Sequence, residues 1–181
     1  MSDTRTVRVS KFLSKYLRHQ PRQLGLTLAP GGWVAVEALL AACAAQGFPI
    51  TRAELDHVVA TNNKQRFAYD EAGARIRANQ GHSTAVDLQL EPVEPPATLY
   101  HGTAQATVPA ILRQGLLKLR RHHVHLSADA DTATTVGKRH GSPVVFAVDA
   151  AAMRRAGHSF FRSANGVWLV EHVPPAYLRQ L

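Results

Sequence analysis

The sequence predicts an α+β protein of two small lobes. Apolar residues recur at helical spacing through the first third of the chain, and short alternating apolar segments dominate its second half. A proline-rich stretch separates the two regimes. At 181 residues the chain can form two lobes, each with a modest core of its own. With 45% hydrophobic and 19% charged residues, it is apolar enough to pack. The stretch LEPVEPPATLY carries Pro92, Pro95 and Pro96 with two glutamates, which resists helix and central strand and favours an extended connection. The expected lobes are therefore residues 1–92 and 97–181.

In the first lobe, Val9, Phe12, Leu13, Tyr16 and Leu17 fall on one helical face, and Pro21 ends the pattern. Val36, Leu39, Leu40 and Cys43 repeat the spacing up to Gly47, a fitting residue just past a helix end. Thr51 to Glu54 reads TRAE, a capping box that opens a third helix through Leu55, Val58 and Val59. RFAYDEAGARIRA then supplies two alternating segments around a turn at Gly73, a hairpin signal. Helices followed by a hairpin predict a winged helix, an arrangement common in nucleic-acid binding. Beyond the prolines the expected elements are TLYHG as a strand, a helix from Thr107 to Gly115, HVHLS as a strand and a helix near Asp129 to Val136. PVVFAVD and GVWLVEHV complete the set as strands. Such short strands predict a small mixed or antiparallel sheet.

A formal charge of +8 and a pI near 10.3 point to a polyanionic partner, because clustered Lys and Arg gain affinity by releasing counterions from phosphate backbones. Cys43 is the one cysteine, which excludes an intramolecular disulfide and a cysteine-rich zinc module and suits a reducing cytoplasm. The first residues lack the apolar core of a signal peptide, and no run approaches the ~18 apolar residues of a membrane span. A soluble cytoplasmic protein with no membrane association is expected, and no obligate protein partner is inferred.

There is no G-x-G-x-x-G fingerprint, and VGKRHG lacks the upstream glycine and the Ser/Thr of a P-loop. His122, His123 and His125 lie too close together, without acidic or cysteine partners, to predict a zinc site, so no metal is expected. Arg18 and His19 stand at a helix end, where cations complement the dipole, yet side by side they could also receive a doubly charged phosphate. Lys64 and Arg66 alternate ahead of the hairpin and can share one face of an extended segment, either a solvated edge or a binding face. RRHHVHLS would place Arg121, His123, His125 and Ser127 along one strand face. In YHGT, Gly102 would permit close backbone approach by a ligand. Arg77, Asn79, His82 and Ser83 of RANQGHS either lead out of the hairpin or hold RNA backbone.

KYLRH, NNKQRF, RANQGHS, YHGT, RRHHVHLS and NGVWLVEHVP, in this order, resemble the tRNA 2′-phosphotransferase family from about Val9 to Tyr177. The resemblance implies a winged-helix amino-terminal lobe facing an ADP-ribosyltransferase-like carboxy-terminal lobe, with the active site in the cleft between them. It implies NAD⁺ as co-substrate without a metal, RNA carrying an internal 2′-phosphate as partner, and a place in tRNA splicing. In the implied first step the RNA 2′-phosphate attacks the nicotinamide ribose C1″ and nicotinamide leaves. In the second, the ribose 2″-hydroxyl attacks that phosphorus, releasing ADP-ribose 1″,2″-cyclic phosphate and RNA with a free 2′-hydroxyl. Carried onto this sequence, the catalytic group is Arg18, His19, Arg66 and Arg121, with Lys64 supporting the second step. His101, Gly102 and Thr103, with His123, His125 and Ser127, would hold NAD⁺, and Arg77, Asn79, His82 and Ser83 the RNA. Leu119 stands where the family's pattern has methionine, and Arg121 rather than Arg120 is taken as its arginine. Val167 falls where many ADP-ribosyltransferases carry a catalytic glutamate, which disfavours protein ADP-ribosylation. An enzyme that stops at the first step, capping a terminal phosphate with ADP-ribose, is one rival. A non-enzymatic nucleic-acid-binding protein is the other, and product identity and NAD⁺ consumption discriminate among the three.

Overall fold

The computed structural model describes residues 3–62 and 64–181, in two compact units, residues 1–89 and 90–181. The architecture mixes helices with small antiparallel sheets, as an α+β protein should. No helix among the described residues is long and apolar enough to cross a membrane.

In the first unit, α1 (Asp3–Arg18) buries Val9, Leu13 and Leu17 on one stripe, and Pro21 opens a short 3-10 turn after it. The strand β1 (Val34–Ala35) leads directly into α2 (Val36–Ala45). Past the end of α2, Gly47 takes φ +71°, the left-handed turn expected there. The third helix, α3 (Arg52–Thr61), starts in a complete capping box: Thr51 accepts from the Glu54 N–H, and Glu54 accepts from the Thr51 N–H. The hairpin follows as β2 (Phe67–Tyr69) and β3 (Arg75–Ala78), with β1 joining the outer side of β3 in the order β1-β3-β2. Cys43 is wholly buried in this unit's core, and burial pushes its thiol up to about 11, so it is a neutral packing group.

The capping box carries two predictions. Thr51→Ala should cost about 1 kcal/mol in a denaturant titration. Arg5 donates to the Glu54 carboxylate at 2.9 Å and, with the Thr51 N–H, lowers its pKa from 4.5 to about 2. The folded state thus holds this group deprotonated where the unfolded chain does not. Its stabilisation is present above pH 4.5 and lost as pH falls through about 2. Glu54→Gln should flatten acid unfolding in that window, and an unchanged acid limb would refute the assignment.

The second unit begins with the proline-rich stretch, which is more than a free connection. Pro92 bridges to Phe161, and the Val93 N–H donates to the Phe160 carbonyl at 2.8 Å. The division falls between Gln89 and Leu90, and the extended segment adds itself to a strand edge that tolerates proline. Next come β4 (Thr98–Ala104), α4 (Val108–Gln114), β5 (Leu116–Leu117), β6 (Val124–Leu126), α5 (Ala130–Gly137) and β7 (Pro143–Asp149). They are followed by α6 (Ala150–Arg155), β8 (Phe160–Arg162), β9 (Trp168–Val170), β10 (His172–Val173) and β11 (Leu178–Gln180). The strand orders are β11-β7-β4, β6-β9-β8 and β10-β5. GVWLVEHV is therefore two strands in different sheets, not one.

Candidate functional site

In the first unit, Arg18, His19 and Arg66 line a single groove of about 500 Å³ with Lys11, Lys15 and Asn62. It runs between α1 and α3. Four lysines and arginines line it, and no carboxylate does so among the described residues. A local field of this kind suits an anion. The residues 79–84 close over the end of α1: the Ser83 N–H donates to the Arg18 carbonyl at 2.9 Å, and Ser83 Oγ meets His19 Nδ1 at 2.8 Å. Gly81 turns this loop at φ +86°, a left-handed conformation that glycine adopts without strain, and it lies in van der Waals range of the Arg18 side chain.

Arg66 is held from the other side by Asn62. The Asn62 Oδ1 accepts from Arg66 Nη1 at 3.1 Å and from the Lys64 N–H at 3.2 Å, while its Nδ2 donates to Ser10 Oγ on α1 at 3.1 Å. Asn79 grips the same turn, its Nδ2 donating to the Gln65 carbonyl and its backbone N–H to the Arg66 carbonyl at 2.9 Å. Gln65 itself sits at φ +41°, in the left-handed region, and the Asn79 clamp stabilises that conformation.

In the second unit a backbone bridge between Tyr100 and Ser127 ties β4 to the end of β6. It sets His101 beside the His125 backbone, where its Nδ1 lies 3.0 Å from the His125 carbonyl. A carbonyl only accepts, so Nδ1 carries the proton. Burial first, then the charge of Arg121, pushes the His101 pKa down, partly opposed by that carbonyl bond, leaving a neutral ring with its lone pair on Nε2. Arg121 Nη1 lies 2.7 Å from His125 Nδ1; a guanidinium only donates, so this nitrogen is the acceptor.

Because the unfolded chain protonates His101 near pH 6.5 and the folded one resists, folding stability should fall as pH drops from 6.5 through the lowered folded value. His101→Asn keeps a donor without a titrating ring. It should remove part of that slope in unfolding titrations between about pH 7 and 5, and an identical slope would exclude His101 as its source.

A family model described as "RNA 2′-phosphotransferase, Tpt1 / KptA family" matches residues 4–172. The chain belongs to the RNA 2′-phosphotransferase family. Relatives named "Probable RNA 2′-phosphotransferase" include one from Trichormus variabilis, 62% identical with all of both chains covered. Another, from Streptomyces coelicolor, is 62% identical over 99% of this chain and 97% of its own. A third, from Rhodopirellula baltica, is 51% identical over 98% and 97%.

Against the residues that the RNA 2′-phosphotransferase resemblance singles out, the structure brings Arg18, His19 and Arg66 into one groove and Arg121, His125 and His101 into one hydrogen-bonded series. Lys64 joins the first group through its backbone. Asn63 of the NNKQRF motif lies outside the described residues. Several expectations need correction. Arg121, His123, His125 and Ser127 do not line one strand face as a set, because β6 begins only at Val124. His123 instead lies against Phe161, with 5.3 Å between ring centroids, in a separate hollow with Lys118, His158 and Glu171. Gly102 does allow a close backbone approach, but by α5: a Cβ there would stand 1.6 Å from the Ala133 carbonyl oxygen. The Thr103 hydroxyl donates to Thr107 Oγ1 at 2.6 Å, since Thr107 donates onward to the Ala104 carbonyl.

His82 is wholly buried and Asn79 nearly so, which makes them internal supports of the loop rather than surface contacts. Arg77 stacks its guanidinium 4.5 Å from the Trp33 ring centre and is not among the groove's lining residues. Sequence reading missed Asn62. The signal was its place directly after α3, where an Asn side chain readily binds nearby backbone N–H groups.

Proposed function

We propose that this chain is an NAD⁺-dependent RNA 2′-phosphotransferase. It removes an internal RNA 2′-phosphate through an ADP-ribosylated RNA 2′-phosphate and releases nicotinamide and ADP-ribose 1″,2″-cyclic phosphate. The observation that carries this reading is the shared groove of Arg18, His19 and Arg66, cationic and without a carboxylate among the described residues, in a chain of this family. Two guanidinium forks and an imidazole suit a phosphate dianion, because charge-assisted and bidentate hydrogen bonds are the strong ones.

The second unit fits a dinucleotide through its donor and acceptor set. The lone pair of His101 Nε2 suits a ribose hydroxyl, and Arg121 suits a pyrophosphate. NAD⁺ brings an electrophilic ribose carbon and a good leaving group. What the chain's own residues add is position: Arg18 and His19 hold the phosphate, and Arg66, steadied by Asn62, stabilises charge building on the phosphorus oxygens with Lys64 beside it. Gly102 and Thr103 shape the strand beneath His101, and Ser127 anchors it by its backbone. The helices-then-hairpin unit is read as a winged helix, and the second unit as ADP-ribosyltransferase-like. The setting is read as cytoplasmic.

The test is incubation of the protein with NAD⁺ and a short RNA bearing one radiolabelled internal 2′-phosphate. Label in ADP-ribose 1″,2″-cyclic phosphate is the expected result. Label retained on RNA with ADP-ribose attached would support a capping enzyme instead, and unchanged RNA would overturn the reading.

A further inference from the structure

The groove that holds Arg18, His19 and Arg66 is longer than one phosphate requires. Lys11 lies seven positions before Arg18 on α1, roughly 10 Å at the rise of a helix. From Ser14 back through Lys11 and Ser10 to Val7 the same helix continues the lining, at the spacing that keeps residues on one helical face. Val7 is 51% exposed, an apolar surface at the far end of the same face.

We infer that this extension binds the phosphodiester adjacent to the 2′-phosphorylated nucleotide, with Lys11 as the charge and the Ser14 hydroxyl as a donor. The inference rests on the proposal that the 2′-phosphate occupies the Arg18 end of the groove. The local chemistry favours a strand backbone over a merely solvated helical face. A solvated face usually interleaves both signs, as Arg5 and Glu54 do at 2.9 Å elsewhere in this unit. Along the groove the cations are Lys11, Lys15, Arg18 and Arg66, and no opposing carboxylate lines it among the described residues. Lys15 is partly engaged, its Nζ 3.3 Å from the Tyr16 hydroxyl. Lys11 makes no ion pair among the described residues and is exposed, so a phosphate can meet it without first displacing a carboxylate. Hydroxyls spaced between cations are the usual company of a nucleic-acid backbone, and they position a strand without reading its bases.

The consequence is substrate choice. A strand would gain from two phosphate subsites and an isolated 2′-phosphate from one. The experiment measures binding of the full chain, without NAD⁺, to three probes across a salt series: an oligoribonucleotide with one internal 2′-phosphate, the same oligomer without it, and adenosine 2′-monophosphate. In Lys11→Gln and the Lys11→Gln, Ser14→Ala double variant, the advantage of the 2′-phosphorylated oligomer over the mononucleotide should narrow by about three- to tenfold, and the salt slope for the oligomer should fall by about 0.7 for each phosphate that is no longer neutralised. An undiminished advantage, or a salt slope equal to wild type, would overturn the extension. Failure of the underlying site is separable, because there the wild-type protein would bind the oligomers with and without 2′-phosphate equally. Circular dichroism of the variants distinguishes a weakened subsite from an unfolded chain.

Discussion

Gly102→Ala is expected to destabilise the second unit by about 3 kcal/mol or more, lowering its unfolding temperature by upwards of roughly 10 °C. The added Cβ would stand 1.6 Å from the Ala133 carbonyl oxygen and 2.5 Å from its carbon. Both belong to the backbone of α5, so no rotamer change relieves the clash and the helix must move away from β4. Gly137, one turn further on, already faces the Thr103 carbonyl at a distance that would be 2.8 Å from a Cβ, so the two elements pack backbone to backbone through small residues. A lifted helix would forfeit that packing along its length. Thermal unfolding monitored by circular dichroism measures the effect. Wild-type stability in Gly102→Ala would show that α5 is not seated on β4 at this position.

Arg66→Ala should slow release of the final product about 100-fold while ADP-ribosylated RNA accumulates. In the proposed mechanism its guanidinium acts in the second step, where one well-placed donor contributes about 3 kcal/mol. Asn62→Ala retains the charge but deprives Arg66 Nη1, the Lys64 N–H and Ser10 of their common partner. A smaller defect of the same kind is expected, about tenfold, with the same intermediate enriched. Arg66→Lys should not restore the parent rate, because an ammonium cannot reproduce a planar fork. The two alanine changes should be less than additive when combined, since they break one network. Single-turnover time courses that resolve intermediate from product are the check. Equal losses in both steps would reassign Arg66 to binding, and an unaltered Asn62→Ala time course would dismiss the hub.

What could be read without the structure was whatever physics keeps local. The capping box at Thr51 needs four consecutive residues, the turn past α2 needs Gly47, and both formed as expected. The Arg18, His19 and Arg66 cluster was also legible, though through the resemblance of several motifs rather than through spacing alone. The role of Gly102 was not, because the carbonyl that needs its missing side chain belongs to Ala133, brought near only when α5 folds back on β4. His123 and His125 were expected on one strand face by alternation, but alternation holds only within a strand, and β6 starts between them. The helix α6 went unanticipated for a simpler reason. It is six residues long, and its onset depends on Asp149 accepting from the Ala152 N–H after β7 has run its course.

The hairpin of the first unit has one end that matters to chemistry and one that does not. At the open end, the Asn79 N–H reaches the Arg66 carbonyl and extends the β2–β3 ladder by one rung, so strand register decides whether Asn79 meets the turn that carries Arg66. A single-residue deletion inside β3 would turn the side chains beyond it to the opposite face and move Asn79 off the Arg66 carbonyl. The closed end, from Asp70 to Gly73, is stitched by its own bonds, the Gly73 N–H to the Asp70 carbonyl and the Ala74 N–H to the Asp70 carboxylate. Lengthening a loop there costs little, since closure entropy grows only slowly with length. That tip is where the chain can accept an insertion, a label or a purification handle while the pairing behind it keeps Arg66 in place.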